Sequence, residues 1–498
     1  MPGAKAQRLI AAVCEKNIPH EPLSDQLCDN LLMLEALKRQ CADLVIHEFL
    51  LFGKTRAAVA FLEGMIDDEQ CGQFLLRPLS RPAQADIRDV PFFLQTCQIQ
   101  RQSDVANVLR AVFSGSAVIF ADTDDTATIV EIRSSFGRNV AAPEFDRSVI
   151  GAHEGFVEKI VVNIALVRRK LCDPRLCISN VTVGRRAASR VSVAYVRDIA
   201  DPTCVAAVLQ KLRTIDADSI GSAGALIQYL EDAPHFIFPQ IMPIERADVA
   251  AAMLLEGRVV VFMDQIPQAM VLPAVWWDFF RASDDHGEKA YIGSFKRWLR
   301  VACFFAGVLL PAWYVALVTF HPELIPLELA LPLLSYRSSV PFSVTAEVLF
   351  VETLLAILAE AAVRTPNQMS QTIGLVGGVI LGQALLSSNL ATAPTLVIAT
   401  AGIVAQYAMP SFVMMRLMSA LRLAGIAAAA VGGLFGVSIF WFLLLARVAA
   451  VKTYSVPYAA PLGTSDLRHL KSVLFMRHAA RQKKRPTYIP VQDETRQK

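Results

Sequence analysis

The sequence predicts an α/β cytoplasmic N-terminal region, built of two related ββα…αββ subdomains, followed by an all-α multi-span membrane domain. Three observations carry that prediction. Residues 301–451 form one apolar field with few charges. The 300 residues before it alternate strand-like and helix-like patterns in an order that occurs twice. A basic tail closes the chain, with ten Lys and Arg against three acids over residues 452–498.

The chain of 498 residues has a net charge of +3, 54% apolar residues and a mean hydropathy of +0.42. Those averages blend two unlike halves. The charge is too small and too local for a nucleic-acid binder. Eight cysteines (Cys14, Cys28, Cys41, Cys71, Cys97, Cys172, Cys177 and Cys204) precede the apolar field. They form no CxxC pair and have no His spacing for zinc, so no metal and no cofactor is expected, only free thiols in a reducing compartment. The first residues lack the pattern of a signal peptide. The expected divisions are a lead and helix at 1–36, α/β subdomains at 37–148 and 149–296, a transmembrane helical domain at 297–451, and a cytoplasmic tail at 452–498.

Residues 24–38 carry Leu27, Leu31, Leu34 and Leu37 at helical spacing behind Ser24, an N-cap residue type. Strands are expected at 44–50 and 57–63, helices at 67–79 and 104–113, then strands at 116–122 and 126–133. The order returns with strands at 181–186 and 190–197, helices at 202–212 and 247–255, and strands at 259–264 and 269–272. Residues 61–67 align with 195–201 and residues 115–122 with 257–264, each ending in an aspartate able to accept helix N–H groups (Asp67, Asp201, Asp122, Asp264). Between the halves, residues 154–170 are amphipathic. Phe156, Ile160, Ile164 and Val167 share one face; Glu154, Glu158, Arg168 and Arg169 share the other.

Trp276, Trp277, Phe279 and Phe280, followed by Lys296, Arg297 and Arg300, suit a membrane interface on the cytoplasmic side. Residues 301–320, 373–393, 395–415 and 424–448 are each long enough to cross a bilayer core of about 30 Å as a helix. Four crossings are preferred and six are open; four would put Arg416 and Arg422 on the outer side, against the positive-inside rule. The field is interrupted by Pro322, Pro326, Pro332 and Pro341, a pointer to backbone lining a cavity. Residues 344–364 would be a further span but hold Glu347, Glu352 and Glu360, each costing about 2.5–3.5 kcal/mol if ionised at the centre of a span. Helical angles set Glu352 about 140° round from Glu347 and Glu360 about 80° round from Glu352. One or two acids can therefore line an ion pathway while Glu360 pairs with Arg364 at i+4; a surface helix with wet acids is the alternative. Gly374, Gly378 and Gly382 form small-xxx-small pairs for close helix packing.

Several stretches together resemble the A-subunit family of bacterial spore germinant receptors, the GerA family. They are EGFVEKIVVNIALVRR (154–169), FPQIMPIERAD (238–248), LEGRVVVFMD (255–264), VPF (340–342), EAAVRTP (360–366), IGLVGGVILGQ (373–383) and VPYAAP (456–461). Within the first three, Glu154, Phe156, Glu245, Arg246 and Asp264 are candidate interface residues. The resemblance implies a multi-pass subunit in the spore inner membrane, with its N-terminal domain and tail in the spore core. It implies homo-oligomers around a pore, a transporter-like B subunit and a lipoprotein C subunit as partners, and ion release when small nutrients are sensed. The chain departs from the family pattern at residues 150–152, at Ala247, at residues 264–267 and at Ala356, a position often glutamate in the acidic helix. A non-conducting scaffold or an auxiliary member of the same family is the alternative. No enzyme is predicted, since no P-loop and no nucleophile–base constellation is present.

Overall fold

The computed structural model describes residues 20–85, 87–94, 98–132, 143, 154–364, 367–462, 473–476, 478, 482–486 and 488–497. The lead before residue 20, Cys97, nearly all of the join at 143–155, and Arg477 and Arg481 of the tail lie outside these.

The first half contains α1 (Leu27–Lys38), β1 (Leu44–Leu51), β2 (Thr55–Leu62), β3 (Ile99–Gln102), α2 (Val105–Phe113), β4 (Ala117–Ala121) and β5 (Ala127–Val130). The strands join in the order β1-β2-β4-β5-β3, every pair antiparallel. Alternate residues of β2 and β4 point to opposite faces. Ala58, Ala60, Val118 and Phe120 meet the leucines of α1 and the buried side of α2. Val59 and Ile119 meet Leu75 and Leu79 of the helical stretch over residues 68–80. A sheet apolar on both faces must be covered on both, and this one is.

The second half repeats the plan with α3 (Ile160–Lys170), β6 (Leu176–Val183), β7 (Ser189–Val196), α4 (Pro202–Thr214), α5 (Ala223–Leu230), β8 (Met242–Ile244), α6 (Ala247–Leu255), β9 (Val259–Met263) and β10 (Ala269–Leu272), in the order β6-β7-β9-β10-β8. The two related subdomains expected from the sequence are present, and the likeness reaches individual hydrogen bonds. Asp122 Oδ1 accepts the first N–H of α1, from Leu27 at 3.1 Å, and Asp264 Oδ1 accepts that of α3, from Ile160 at 3.2 Å. Asn30 brackets the backbone of Ser24 as Asn163 brackets that of Val157. Thr123 and Gln265 both sit at φ 68°, and Gly115 and Gly257 both at φ 92°. Asp122 and Asp264 thus hold the helix that precedes the sheet, reached across the subdomain, while Asp201 caps the helix that follows the first two strands.

Two expectations fail for a shared reason, that charge and aromatic area are used inside the protein. Arg168, placed by helical angle on the polar face of α3, is fully buried and forks onto Asp43 of the first subdomain at 2.8 and 2.9 Å. It ties the two sheets together across the strand-like contact of Cys41 with Ile178. Trp276 and Trp277 lie at no membrane surface. They are buried in an aromatic cluster with Phe280, Phe304, Phe305 and Trp441, at centroid distances such as 5.2 Å for Trp276–Phe280 and 5.3 Å for Phe305–Trp441. The exposed aromatics nearby are Tyr291, Phe295 and Trp298. Arg297 and Arg300 are likewise turned inward onto Asp285 Oδ2, at 3.1 and 2.9 Å. Burial alone would raise the Asp285 pKa; the hydrogen bonds and charges of Arg300 and Arg297 outweigh it and hold the carboxyl below the usual range.

The C-terminal part is helical: α7 (Ala290–Phe320), α8 (Leu327–Arg337), α9 (Val344–Arg364), α10 (Asn367–Ser387), α11 (Ala393–Tyr407) and α12 (Phe412–Ala450). Among the described residues, α7 and α12 are long and apolar enough to cross a bilayer. The four expected spans are therefore redrawn. Residues 301–320 lie in one helix, whereas 373–393 ends early at Ser387 and 395–415 breaks at residues 408–411. Residues 424–448 are no single span. Non-helical backbone at Gly432 and Gly433 turns α12 back on itself. In a straight helix Ala428 and Gly436 would be about 12 Å apart along the axis; here a Cβ on Gly436 would overlap the Ala428 carbonyl oxygen, and one on Gly425 would lie 3.7 Å from the Phe440 ring. Gly433 takes φ 55° against Phe320, a turn that a residue without a Cβ makes readily.

With α12 read as a first leg (412–431) and a second leg (434–450), the helices alternate in direction. Gly307 faces Gly402 and Tyr314 meets Thr395, setting α11 antiparallel to α7. Leu358 faces Gly377, and Glu352 and Glu360 face Arg422 and Arg416, setting α9 antiparallel to α10 and to the first leg. Helix α8 buries none of its residues. The tail returns to the start of α7, where Met476 N donates to Ser294 Oγ at 2.8 Å, and to the α/β half, where Tyr454 OH donates to the Leu230 carbonyl at 2.6 Å and Gln492 N to that of Ile199 at 3.0 Å.

Candidate functional site

Helix α9 places its three glutamates in three environments. Glu347 is fully buried and accepts from the N–H of Thr392 at 2.6 Å and from its hydroxyl at 2.8 Å. Thr392 is the N-cap of α11, so the carboxylate sits on the positive end of that helix. The Thr392 hydroxyl is 2.9 Å from that of Thr395, which in turn donates to Tyr314 OH at 3.3 Å, linking α9, α11 and α7.

One and a half turns along, Glu352 is equally buried, with Oε2 2.8 Å from Nε of Arg422 on the first leg of α12. Arg422 Nη2 donates to Gln406 Oε1 at 3.2 Å, which also accepts from Ser419 Oγ at 3.0 Å. Gly402 makes room for the guanidinium, since a Cβ there would lie 3.3 Å from Nη1. Among the described residues, Glu347 Oε2, Glu352 Oε1 and both Nε and Nη1 of Arg422 are buried without a hydrogen bond of good geometry, each a cost of about 1–3 kcal/mol.

Glu360 differs. It is 48% exposed, 3.8 Å from Arg416 Nη2, and lines an open groove of about 510 Å³ with Thr353, Ala356, Ile357, Ala361 and Leu423. Arg416 is one neighbour of this carboxylate; the expected pairing with Arg364 falls outside the described residues, as do the side-chain surroundings of Gly374. Gly378 and Gly382 face open space within the chain, and among the described residues a close helix contact is made at Gly307 and Gly402. Arg422, Gln406, Thr392 and the Gly307–Gly402 pair are the site residues that sequence reading did not single out. A lone arginine in an apolar run, needing an acid of its own, was their signal.

The five candidate interface residues come together inside the second subdomain. Phe156 N donates to the Glu245 carbonyl at 2.7 Å, and the Phe156 ring stands edge-on to Phe262 at 5.4 Å. Gly155 pairs with Arg246, whose buried guanidinium forks onto Asp248 at 3.0 and 2.6 Å. Glu245 Oε1 accepts from Gln268, and Asp264 holds the start of α3. Glu154 stays half-exposed beside Lys170 Nζ at 3.4 Å.

A duplicated α/β body seated on apolar helices, with the buried Glu352–Arg422 pair closed between those helices, defines a membrane-associated protein. The family model described as Bacillus/Clostridium GerA spore germination protein matches residues 32–488. The chain is 29% identical to spore germination protein B1 of Bacillus subtilis (strain 168), over 96% of this chain and 100% of the relative. It is 30% identical to spore germination protein GerLA of Bacillus cereus, over 91% and 93%. The uncharacterized membrane protein YfkQ of Bacillus subtilis (strain 168) is 28% identical over 91% and 89%. Among solved structures, the crystal structure of the N-terminal domain of the A subunit of the Bacillus megaterium spore germinant receptor GerK3 matches at 26% identity and a TM-score of 0.41, covering 52% of this chain and 98% of that one. The chain belongs to the GerA family of spore germination proteins.

Proposed function

We propose that this chain is the membrane subunit of a spore germinant receptor that oligomerises and takes part in nutrient-triggered ion release. The carrying observation is α9, which brings three carboxylates into the apolar half where lipid would oppose each of them. Two of them hold helices together, Glu347 at the start of α11 and Glu352 on Arg422. Glu360, facing the open groove, is the acid a monovalent cation reaches, and a weak single carboxylate lets the ion leave again.

In this reading the chain crosses six times, with both ends on the side of the α/β body, the spore core; the alternating helix directions support it. This order returns Arg416 to that side, in keeping with the positive-inside rule. The bare faces of Gly378 and Gly382 and the exposed leucines of α8 (Leu327, Leu329, Leu331 and Leu334) are the surfaces offered to sister copies in the spore inner membrane. The B and C subunits are the partners that family membership implies.

The test is Glu360→Gln in spores, with potassium release followed after a mixture of amino acids and sugars. Slowed or less selective release with unchanged membrane content supports the pathway. Release matching wild type in rate and ion preference overturns it. A non-conducting scaffold is the second reading, favoured by the internal pairing of Glu347 and Glu352; it predicts no ion flux from the full receptor in liposomes under any nutrient.

A further inference from the structure

We propose that the groove between residues 235–238 and the second leg of α12 is a binding site for an anionic phospholipid. The loop over 235–238 belongs to the α/β body, yet it lies against the end of the last helix. Phe236 and Phe238 are buried, Phe236 edge-on to Tyr458 at 5.0 Å, and the Tyr458 hydroxyl donates to the Pro239 carbonyl at 2.8 Å, which fixes the loop. Ile237 between them is 65% exposed, an outward-turned apolar tip that a loop in water gains nothing by presenting.

Phe236, Ile237 and Phe238 face Phe440 and Leu443 across a groove of about 220 Å³, with Arg447 at its end. Other arginines of the helical half face acids: Arg297 and Arg300 share Asp285, Arg422 meets Glu352, and Arg416 lies 3.8 Å from Glu360. Arg447 is exposed and faces no carboxylate among the described residues. It sits one turn from the end of α12, and the His235 imidazole adds a second hydrogen-bonding group to the lining. An apolar slot closed by an unpaired cation at the end of a spanning helix matches an acyl chain joined to an anionic headgroup. The occupied site would bridge the α/β body to the last helix.

The inference rests on the membrane reading above, and its test separates the two. Purified full-length protein, stripped of lipid in detergent, is titrated with phosphatidylglycerol or phosphatidylcholine and followed by native mass spectrometry. Wild type is expected to take up phosphatidylglycerol in preference to phosphatidylcholine. Arg447→Gln is expected to bind the first phosphatidylglycerol about fivefold more weakly, while Lys452→Gln, an exposed cation beyond the end of α12, leaves binding unchanged. Leu443→Asn, at an exposed position, reports on the apolar half if Arg447→Gln fails to fold. Equal uptake of the two lipids by wild type, or unchanged binding in both groove variants, overturns the site and leaves only general lipid contact. A wild type that stays monodisperse without detergent instead overturns the membrane reading.

Discussion

Replacing Arg422 by methionine keeps an unbranched apolar stem, removes the guanidinium and strands the Glu352 carboxylate among α9, α11 and α12. Oε2 loses the guanidinium at 2.8 Å, and Oε1 already has no hydrogen-bond partner. Removing one member of a buried pair costs about 3–5 kcal/mol, because the charge left behind has given up water for nothing. Gln406 is not orphaned by the change, since Ser419 still donates to it at 3.0 Å. The double variant Glu352→Leu with Arg422→Met removes both charges, so its stability is expected within about 1 kcal/mol of wild type, the worth of the lost Arg422–Gln406 hydrogen bond. The cycle then shows a coupling of about 3 kcal/mol or more. Reversible unfolding of the full chain in mixed micelles, titrated with a denaturing detergent, measures it. If the double variant loses the sum of the two single losses, Glu352 and Arg422 do not act as a pair and the account of the helical core is wrong.

The repeat predicts matched effects at matched places: Asp122→Ala and Asp264→Ala each remove the acceptor at a helix start and are expected to lower stability by about 1 kcal/mol, measured by guanidinium unfolding of the α/β signal, whereas a loss at one site only would deny the equivalence. The Asp285 carboxyl is held below its unfolded pKa by Arg300 and Arg297, so its stabilising contribution is complete above the unfolded value of about 3.9 and is lost as pH falls through the lower folded value. Thermal midpoints across this acid range should fall less steeply in Asp285→Asn, and equal slopes would refute the assignment.

The duplication was legible because it is written in residues that local geometry demands. Gly115 and Gly257 take the left-handed turn before an inner strand, and Asp122 and Asp264 follow that strand. Their caps reach across the subdomain to a helix in front of the sheet, which no local pattern reveals. Arg168 was misplaced because helical angle sorts residues by face but cannot see a second sheet arriving with Asp43. Trp276 and Trp277 carry the composition of a membrane belt, yet the same large rings also fill a seam between two bodies, and burial against Phe304 decides for the seam. The reversal at Gly432 and Gly433 was hidden inside an unbroken apolar run. Hydropathy counts residues and is blind to direction, and the adjacent glycines were the only mark of the turn. The acids of α9 were legible as candidates, but their partners, Thr392 and Arg422, lie far along the chain and become neighbours only by tertiary packing.

The chain leaves the α/β body through α7 and comes back to it after α12, where Val491 pairs with Ala200 and Arg485 Nε donates to the Leu255 carbonyl at 2.7 Å. The first and last helices are therefore moored to one foundation, while α9, α10 and α11 lie between them in the chain, packed on other helices. A twist of that foundation would turn the two moored helices as one piece, and the slack would be taken up in the three between, where the glutamates are.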